Sequence, residues 1–406
     1  MRKRLFLIMF ILMACNSPEQ KMKLDPNDPQ FSEKARAIHQ KSILVDTHID
    51  IPYRITHENV DISQRLADGH FDLVRAKEGG LDAPFFAVYV SSKFNQPGTD
   101  TAAKGGAYAE ALRIITMIDS VVSASENLAE SAISPGDVER IVGVGKIAVC
   151  MGMENGAPIE GDIQKLADLY QRGIRYITLT HAKDNHISDS SYDERHTNKG
   201  LTEFGKKLIV EMNRIGMMID VSHISDDAFW QVMELSNAPV IASHSGLRTF
   251  RHMERNMSDS MLVALAKNGG VFQYNFGSYF ITDDYGVPAD SYWSVQDSLN
   301  RKFQNDHEKA VSLFEEYKKA HPAPNPDIDE VVRQLDYAIK LIGVDHVGLG
   351  SDYDGVNEVP VGLEDVTKYP VLTEKMLALG YTAADIEKIN GGNLLRVWKA
   401  VEQLKL

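Results

Sequence analysis

Histidines and carboxylates stand at or just after the ends of short apolar runs throughout the sequence. Imidazole and carboxylate groups without a thiolate favour Zn²⁺ or a similar divalent ion in an open catalytic site, and the same groups can transfer protons. One tetrahedral ion that keeps a position open for water cannot use all of these groups. We therefore expect two ions, which the carboxylate of Glu154 could bridge. The candidates are His48, Asp50, Glu154, His181, His223, His244, Asp352 and Asp354.

The stretch 43–50, "ILVDTHID", shows how such groups can share an ion. Because side chains two residues apart face the same side of a β-strand, His48 and Asp50 can reach one ion together. Asp46, and Asp220 later in the chain, can orient imidazoles from behind. Capping of a strand or helix is the alternative role for both aspartates.

Eight apolar or β-rich runs, bounded by turn-forming residues, are predicted strands, and segments with helical spacing lie between many of them. Several of these segments begin with Asp, Ser or Thr at the expected N-cap. The predicted strands are residues 43–48, 85–91, 146–153, 174–180, 217–222, 239–244, 270–275 and 346–351. The predicted helices are residues 106–131, 162–172, 202–215, 225–236, 258–267 and 327–342.

This alternation predicts parallel strands joined by helices, and eight units favour a closed (β/α)8 TIM-type barrel over an open sheet. The carboxyl ends of barrel strands converge on one mouth, which would gather the candidate ligands into a single site. No Gly-x-Gly-x-x-Gly turn follows the first strand, so dinucleotide binding has no support. Residues 281–326, before the last strand, are a predicted helical insertion over the mouth or in a homodimer contact; a solvated excursion is the alternative.

Two other classes of nucleophile are not supported. Ser225, in "HISDDAF", is expected to cap a helix. The segment 243–246, "SHSG", lacks the Gly-x-Ser-x-Gly turn of serine hydrolases. Cys150, inside "KIAVCMGM", is expected to be a small buried apolar residue.

Composition describes an ordinary globular protein. The 406 residues are 43% hydrophobic and 25% charged, with a formal net charge of -14. Nucleic-acid affinity rests on clustered Lys and Arg, so no nucleic-acid partner is expected.

The N-terminus, "MRKRLFLIMFILMAC", has the pattern of an export signal. Its apolar run, Leu5 to Met13, is too short to span a bilayer. The ending "LMAC" is similar to a bacterial lipobox, which makes Cys15 the predicted lipidated residue and residues 1–15 its signal peptide; a plain secretory peptide is the alternative. Residues 16–29 are a predicted flexible tether and 30–406 a single barrel domain. We therefore expect an exported lipoprotein, anchored to a membrane of a bacterial cell envelope.

A set of short motifs, in order along residues 35–400, resembles the membrane (renal) dipeptidases. These are binuclear zinc peptidases on a (β/α)8 barrel, related to the amidohydrolases, and some accept a D residue at the C-terminal position of the dipeptide. The motifs are "VDTHIDIP", "MGMENG", "LTHAKDNHISDS", "IDVSHISD", "IASHSGLR", "RNMSD", "GLGSDYDG" and "GGNLLRVW".

The resemblance implies a role for each matching residue. His48 and Asp50 would bind one zinc ion, His223 and His244 the other, with Glu154 as the bridge. His181 would bind the substrate and stabilise the developing oxyanion, Arg255 would pair with the terminal carboxylate, Asp352 would be the acid/base group, and Tyr279 would contact the substrate. The resemblance therefore implies a dipeptide substrate.

The chain departs from the family pattern in its spacers. "DTHID" replaces the usual Asp-Gly-His-Asn-Asp, and "MENG" stands where Glu-Gly-Gly is common. The anchor is predicted at the N-terminus, whereas the mammalian enzymes carry theirs at the C-terminus. Two alternatives stay open: another metal hydrolase of the amidohydrolase type (lactonase, deaminase or phosphotriesterase-like), and a non-catalytic peptide-binding lipoprotein.

Overall fold

A barrel of eight parallel strands forms the centre of the molecule, with helices around it. The computed structural model describes residues 23–95, 105–303 and 307–405. The strands follow the order β1-β2-β4-β5-β6-β7-β8-β9, and β3 pairs with β4 beside this path. They are β1 (Leu44–Ile49), β2 (Leu81–Tyr89), β3 (Ala129–Ser131), β4 (Ile147–Glu154), β5 (Ile174–Thr178), β6 (Met218–Asp220), β7 (Ile241–Ser245), β8 (Val271–Tyr274) and β9 (Val347–Leu349).

Contacts between the first strand and the chain that follows the last one bring the two ends of the sheet together. Ile49 forms a parallel bridge with Tyr353. The backbone N–H of Asp352 donates to the carbonyl of His48 at 3.0 Å, and that of Asp50 to the carbonyl of Tyr353 at 2.8 Å. The predicted TIM-type barrel is thus confirmed, and its closing contacts lie beside two candidate ligands.

Helices follow or precede the strands along the whole described chain. They are α1 (Phe31–Lys41), α2 (Ile51–Glu58), α3 (Leu73–Gly79), α4 (Gly106–Ala124), α5 (Pro135–Gly143), α6 (Ile163–Gln171), α7 (Glu203–Ile215), α8 (Asp226–Leu235), α9 (Asp259–Lys267), α10 (Asp283–Lys302), α11 (His307–Ala320), α12 (Ile328–Ile342), α13 (Tyr369–Ala378), α14 (Ala383–Glu387) and α15 (Asn393–Gln403). Within the described ranges, none has the length and apolar character needed to cross a membrane.

All eight predicted strands and the start of each predicted helix agree with the structure to within a few residues. Ser225 caps α8 by accepting from the N–H of Ala228, as expected. The prediction of one helix over 106–131 is wrong at its end. α4 stops at Ala124, and residues 129–131 form β3, which pairs with 147–149. The apolar face of α4 ends at Val122, so the polar residues beyond it have no core side to extend the helix.

Predictions at the N-terminus fall largely outside the described residues. The signal peptide, Cys15 and the first part of the tether belong to residues 1–22. The described part of the tether, residues 23–29, contains turns that lead into α1.

Side chains from several strands fill the barrel interior. Cys150 is fully buried there among Val45, Phe85 and Tyr176, and burial raises the pKa of its thiol, so it is an inert packing residue as expected. Gly152 is paired with Tyr176 on the neighbouring strand. An added Cβ at Gly152 would lie 2.0 Å from Cζ of the Tyr176 ring. The Tyr176 ring therefore occupies the space that a side chain at position 152 of β4 would fill.

The predicted insertion is helical. α10 and α11 enclose a small core of their own around Tyr285, Tyr292 and Phe314. Arg251, in the connection after β7, binds Asp283 at 3.2 Å and Asp290 at 2.9 Å on α10. The insertion is thereby tied to a connection at the carboxyl ends of the strands, beside the mouth, which excludes a purely solvated excursion.

We predict that Gly152→Ala destabilises the fold by about 1–3 kcal/mol, because the new methyl group overpacks the barrel against the ring of Tyr176. Urea unfolding measures this loss. Gly143→Ala is the matched control, since an added Cβ at Gly143 has nothing within 4 Å. Equal free energies of unfolding for wild type and Gly152→Ala would contradict the packing argument.

Candidate metal centre

The carboxyl ends of the strands bring the five predicted metal ligands to one place. His48 lies on β1 and Asp50 directly after it, Glu154 ends β4, His223 follows β6, and His244 lies on β7. Oε1 of Glu154 is the centre of the group. The Nε2 atoms of His48, His223 and His244 lie 3.7, 3.1 and 3.4 Å from it.

The two predicted catalytic residues, His181 and Asp352, adjoin this group. Nε2 of His181 lies 3.6 Å from Oε1 of Glu154. Asp352 follows β9 and lies beside Asp50, since a Cβ added at Gly355 would lie 2.3 Å from Oδ2 of Asp50 and 2.4 Å from Oδ1 of Asp352. The absence of a side chain at Gly355 therefore leaves room for these two carboxylates to lie close to each other.

Three sets of side chains could each hold a metal ion, with ligand atoms within 4.8 Å of one another. The sets are His48, Glu154 and His244; Glu154, His181 and His223; and His48, Asp50 and Asp352. Glu154 belongs to two of them, as the expected bridge would. The grouping differs in part from the family assignment, because His48 shares a set with His244 as well as with Asp50.

The buried nitrogen and oxygen atoms at the centre of the cluster fit a bound cation. Nε2 of His48 is buried, has no hydrogen-bond partner, and lies 3.3 Å from Oδ2 of Asp50. Nε2 of His223 lies 2.8 Å from Nε2 of His244. Burial raises the pKa of Glu154 to about 8, and the neighbouring carboxylate of Asp50 adds to the shift. A divalent cation would satisfy these lone pairs and offset the buried negative charge, so the residues present fit a metal.

Two hydroxyl groups contact the histidines from behind. Nδ1 of His48 lies 2.8 Å from the hydroxyl of Tyr176, and Nδ1 of His244 lies 2.8 Å from Oγ of Ser243. Ser243 in turn donates to Asp220 at 2.6 Å. Sequence reasoning missed Tyr176 because a tyrosine within an apolar strand is most simply a core residue. The orienting role predicted for Asp220 is exerted on His244 through Ser243.

Asp46 serves the backbone and not an imidazole ring. Its carboxylate accepts from the N–H groups of His48, at 3.1 Å, and Ser351, at 2.9 Å. It also accepts from the hydroxyls of Ser351 and Tyr369. Of the two roles proposed for Asp46, the structure supports the capping one, which joins β1 to the segment after β9.

Asp352 is held by a contact that the sequence did not suggest. Nδ2 of Asn275 donates to its Oδ2 at 2.8 Å. Burial raises the pKa of Asp352 to about 7, with repulsion from Asp50 as the next cause. Asp354, the other candidate after the last strand, accepts from the N–H of His70 at 2.7 Å and lies 3.8 Å from the Arg54 guanidinium, so it belongs to a separate polar network.

Arg255 reaches the site although it is far from any strand end. It is 4% exposed, and its two terminal nitrogens donate to Oγ of Ser245 at 2.9 Å and to the carbonyl of His244 at 2.5 Å. Its Nε is buried without a partner. The guanidinium is thus fixed next to a metal ligand with one N–H group still to be satisfied.

Aromatic side chains line the entrance. The hydroxyl of Tyr279 donates to Asp290 of α10, and the guanidinium of Arg251 lies 5.0 Å from the centre of its ring, so Tyr279 is engaged with the insertion. The rings of Tyr89 and Tyr192 lie 5.0 Å from His181 and 5.9 Å from His223. Sequence analysis missed both. The position of Tyr89 at the end of a predicted strand was the available signal.

Comparison with known proteins identifies the family. The family described as membrane dipeptidase (peptidase family M19) matches residues 32–406. Mouse dipeptidase 3 is 32% identical over 388 residues, which cover 93% of this chain and 68% of the mouse protein.

Two solved structures have the same fold. The crystal structure of the probable dipeptidase PvdM from Pseudomonas aeruginosa is 27% identical, with a TM-score of 0.79, and the match covers 92% of this chain and 99% of that one. A metallo peptidase from Rhodobacter sphaeroides, liganded with a phosphinate mimic of the dipeptide L-Ala-D-Ala, is 24% identical, with a TM-score of 0.72 and coverage of 89% and 100%. The chain belongs to the membrane dipeptidase family of metallopeptidases, and it is a dipeptidase.

Proposed function

We propose that the enzyme is a binuclear zinc dipeptidase whose substrates are dipeptides with a free C-terminal carboxylate. One observation carries this proposal: the imidazoles of His48, His181, His223 and His244 all face Oε1 of Glu154 within 3.7 Å. Histidine and carboxylate ligands without thiolate suit catalytic zinc. Family membership removes the support for the lactonase, deaminase and phosphotriesterase alternatives and for a non-catalytic binding protein.

The ligands follow the family assignment. His48 and Asp50 would hold one ion, His223 and His244 the other, and Glu154 both. When bound, the two ions would lower the pKa of a water molecule and polarise the peptide carbonyl.

Asp352 is the proposed proton carrier. Its raised pKa, about 7, suits a group that takes a proton from the attacking water and delivers it to the leaving amine near neutral pH. Asn275 donates to one oxygen, Oδ2, and so leaves the other oxygen for the proton. General base and then general acid catalysis by one carboxyl group accounts for both halves of the reaction.

Two further residues are proposed to hold the substrate. Burial, with the charge of Arg255 as the next cause, lowers the pKa of His181 to about 3, so its neutral imidazole can donate an N–H to the developing oxyanion. Arg255 can offer its unpaired Nε–H to the terminal carboxylate of the dipeptide. Tyr279 is the third proposed substrate contact, on the insertion side of the mouth.

We also propose that dipeptides with a C-terminal D residue are accepted. The support is the family resemblance, in which such substrates occur, together with the ligand of the Rhodobacter sphaeroides protein, a mimic of L-Ala-D-Ala.

Removal of metal tests the cofactor. We expect a chelator to abolish cleavage of L-L and L-D dipeptides by the full chain, and two equivalents of Zn²⁺ to restore it. Metal analysis should find one ion fewer in His223→Asn, because a ligand is lost, and two in His57→Asn, whose histidine is exposed. Cleavage that survives the chelator would contradict the metal requirement, and cleavage of L-L dipeptides alone would contradict only the D-residue proposal.

A second test concerns Asp352. Asp352→Asn should lower kcat by about 100- to 10,000-fold, the usual contribution of a general acid/base group, while both zinc ions and KM are retained. Asp227→Asn, an exposed aspartate on α8, is the control. Loss of one zinc from Asp352→Asn would make Asp352 a ligand instead, and a kcat near that of the wild type would remove it from the mechanism.

We further propose that the protein is exported and held on a membrane by a lipid on Cys15, as the N-terminal pattern predicts. In a bacterial host supplied with labelled palmitate, the wild type and Cys150→Ser should be labelled and sediment with membranes. Cys15→Ser should be unlabelled. Equal labelling of all three proteins would contradict the anchor.

A further inference from the structure

Each of two ligand histidines has a hydroxyl group behind its ring, and each hydroxyl has a second partner that can only accept. Behind His48, the hydroxyl of Tyr176 lies 2.8 Å from Nδ1 and 2.9 Å from the backbone carbonyl of Thr47. Behind His244, Oγ of Ser243 lies 2.8 Å from Nδ1 and 2.6 Å from Oδ2 of Asp220.

A hydroxyl group has a single proton, which decides the direction of these hydrogen bonds. The carbonyl of Thr47 can only accept, so Tyr176 donates to it and accepts from Nδ1–H of His48. The opposite arrangement would place two oxygen lone pairs 2.9 Å apart in a fully buried position.

The same argument holds for Ser243 with stronger support. Asp220 is fully buried, and its carboxylate also accepts from the N–H groups of Ser222, at 3.0 Å, and Ser243, at 2.8 Å, and from the hydroxyl of Thr178. These donors all require an acceptor at Asp220. Ser243 must therefore donate to Asp220, which leaves its oxygen to accept from Nδ1–H of His244.

We propose that Tyr176 and Ser243 are positioning residues that keep the proton of His48 and His244 on Nδ1, so that both rings present an Nε2 lone pair to the metal. This inference rests on the proposed metal centre, and it explains why Nε2 is the atom of each ring that faces Glu154. The contact behind a ligating histidine fixes both its tautomer and its orientation.

The two hydroxyl groups come from different parts of the chain, so each contact can be tested separately. Ser243 precedes His244 in the chain. Tyr176 comes from β5 and crosses the barrel interior to β1, a path that requires the missing side chain at Gly152. Because each hydroxyl contacts Nδ1 of a different histidine, we expect its removal to act mainly on that histidine.

Zinc binding by the full chain, measured by competition with a chelator, tests the proposal. Tyr176→Phe and Ser243→Ala should each weaken the binding of one of the two ions by about 10- to 100-fold, the usual effect of losing such an outer contact, and should affect the other ion less. Tyr274→Phe and Ser42→Ala are matched controls, because each loses a buried hydroxyl that bonds far from the centre, at Gln334 and at His39 and Asn390. Unchanged affinities in both test variants would overturn the proposal.

Nuclear magnetic resonance provides a readout that does not depend on activity. In the zinc-loaded wild type, two slowly exchanging imidazole N–H signals should belong to Nδ1 of His48 and His244. Tyr176→Phe should lose protection of the first and Ser243→Ala that of the second. Protection that is unaffected by either change would contradict the hydroxyl contacts.

Metal-free protein separates this inference from the proposed function. Long-range ¹⁵N–¹H spectra of His244, recorded at a pH where its ring is neutral, should show the proton on Nδ1 in the wild type and a mixture of tautomers in Ser243→Ala. A wild type that binds no zinc but shows this tautomer would overturn the metal centre and retain the role of Ser243. A proton on Nε2 in the wild type would overturn the proposal for Ser243.

Discussion

The burial of three carboxylates beside several imidazoles is the constraint on which the rest of this structure depends. Asp50, Glu154 and Asp352 are each at most 8% exposed, and desolvation by burial, followed by repulsion between the carboxylates, raises the pKa values of Glu154 and Asp352. Charged groups in such surroundings are stable only when they are paired, hydrogen-bonded or bound to a cation. Without a cation, these buried carboxylates would therefore destabilise the site locally, and the packing of the closed barrel would have to offset that cost.

The barrel strands bring the candidate ligands together at one mouth, but the backbone turns sharply where it leaves several of these strands. His223 and Asp352 have φ values of 70° and 64°, and Asn155, directly after the bridging Glu154, has 78°. Left-handed backbone is unfavourable for most residues with a Cβ, by roughly 1–2 kcal/mol, and Asn and Asp adopt it more readily than His does. It persists here because neighbouring hydrogen bonds hold it, such as the one from the N–H of Asp352 to the carbonyl of His48. These left-handed turns orient the side chains of His223 and Asp352 towards the mouth of the barrel.

The barrel and the candidate metal ligands could be predicted from the sequence for one physical reason. Parallel strands buried on both sides appear as continuous apolar runs, and the groups at their carboxyl ends must meet. The residues that support the ligands gave no such signal. Tyr176 and Asn275 lie within or next to apolar strands, and their roles depend on which strand faces which across the interior. β3 was missed because it pairs through only three residues, which a helix prediction readily absorbs.

The insertion joins the catalytic mouth to a part of the fold that the barrel does not require. Asp290 of α10 accepts from the hydroxyl of Tyr279 and from Arg251, and Arg251 also lies over the Tyr279 ring. Phe280, the next residue, lies 5.6 Å from the guanidinium of Arg255. A change in the position of α10 would therefore reach both proposed substrate contacts, Tyr279 directly and Arg255 through Phe280, and Arg255 in turn donates to the backbone carbonyl of His244. Arg255 therefore connects the insertion side of the mouth to the proposed metal ligand His244, whereas Tyr279 is bound to the insertion itself.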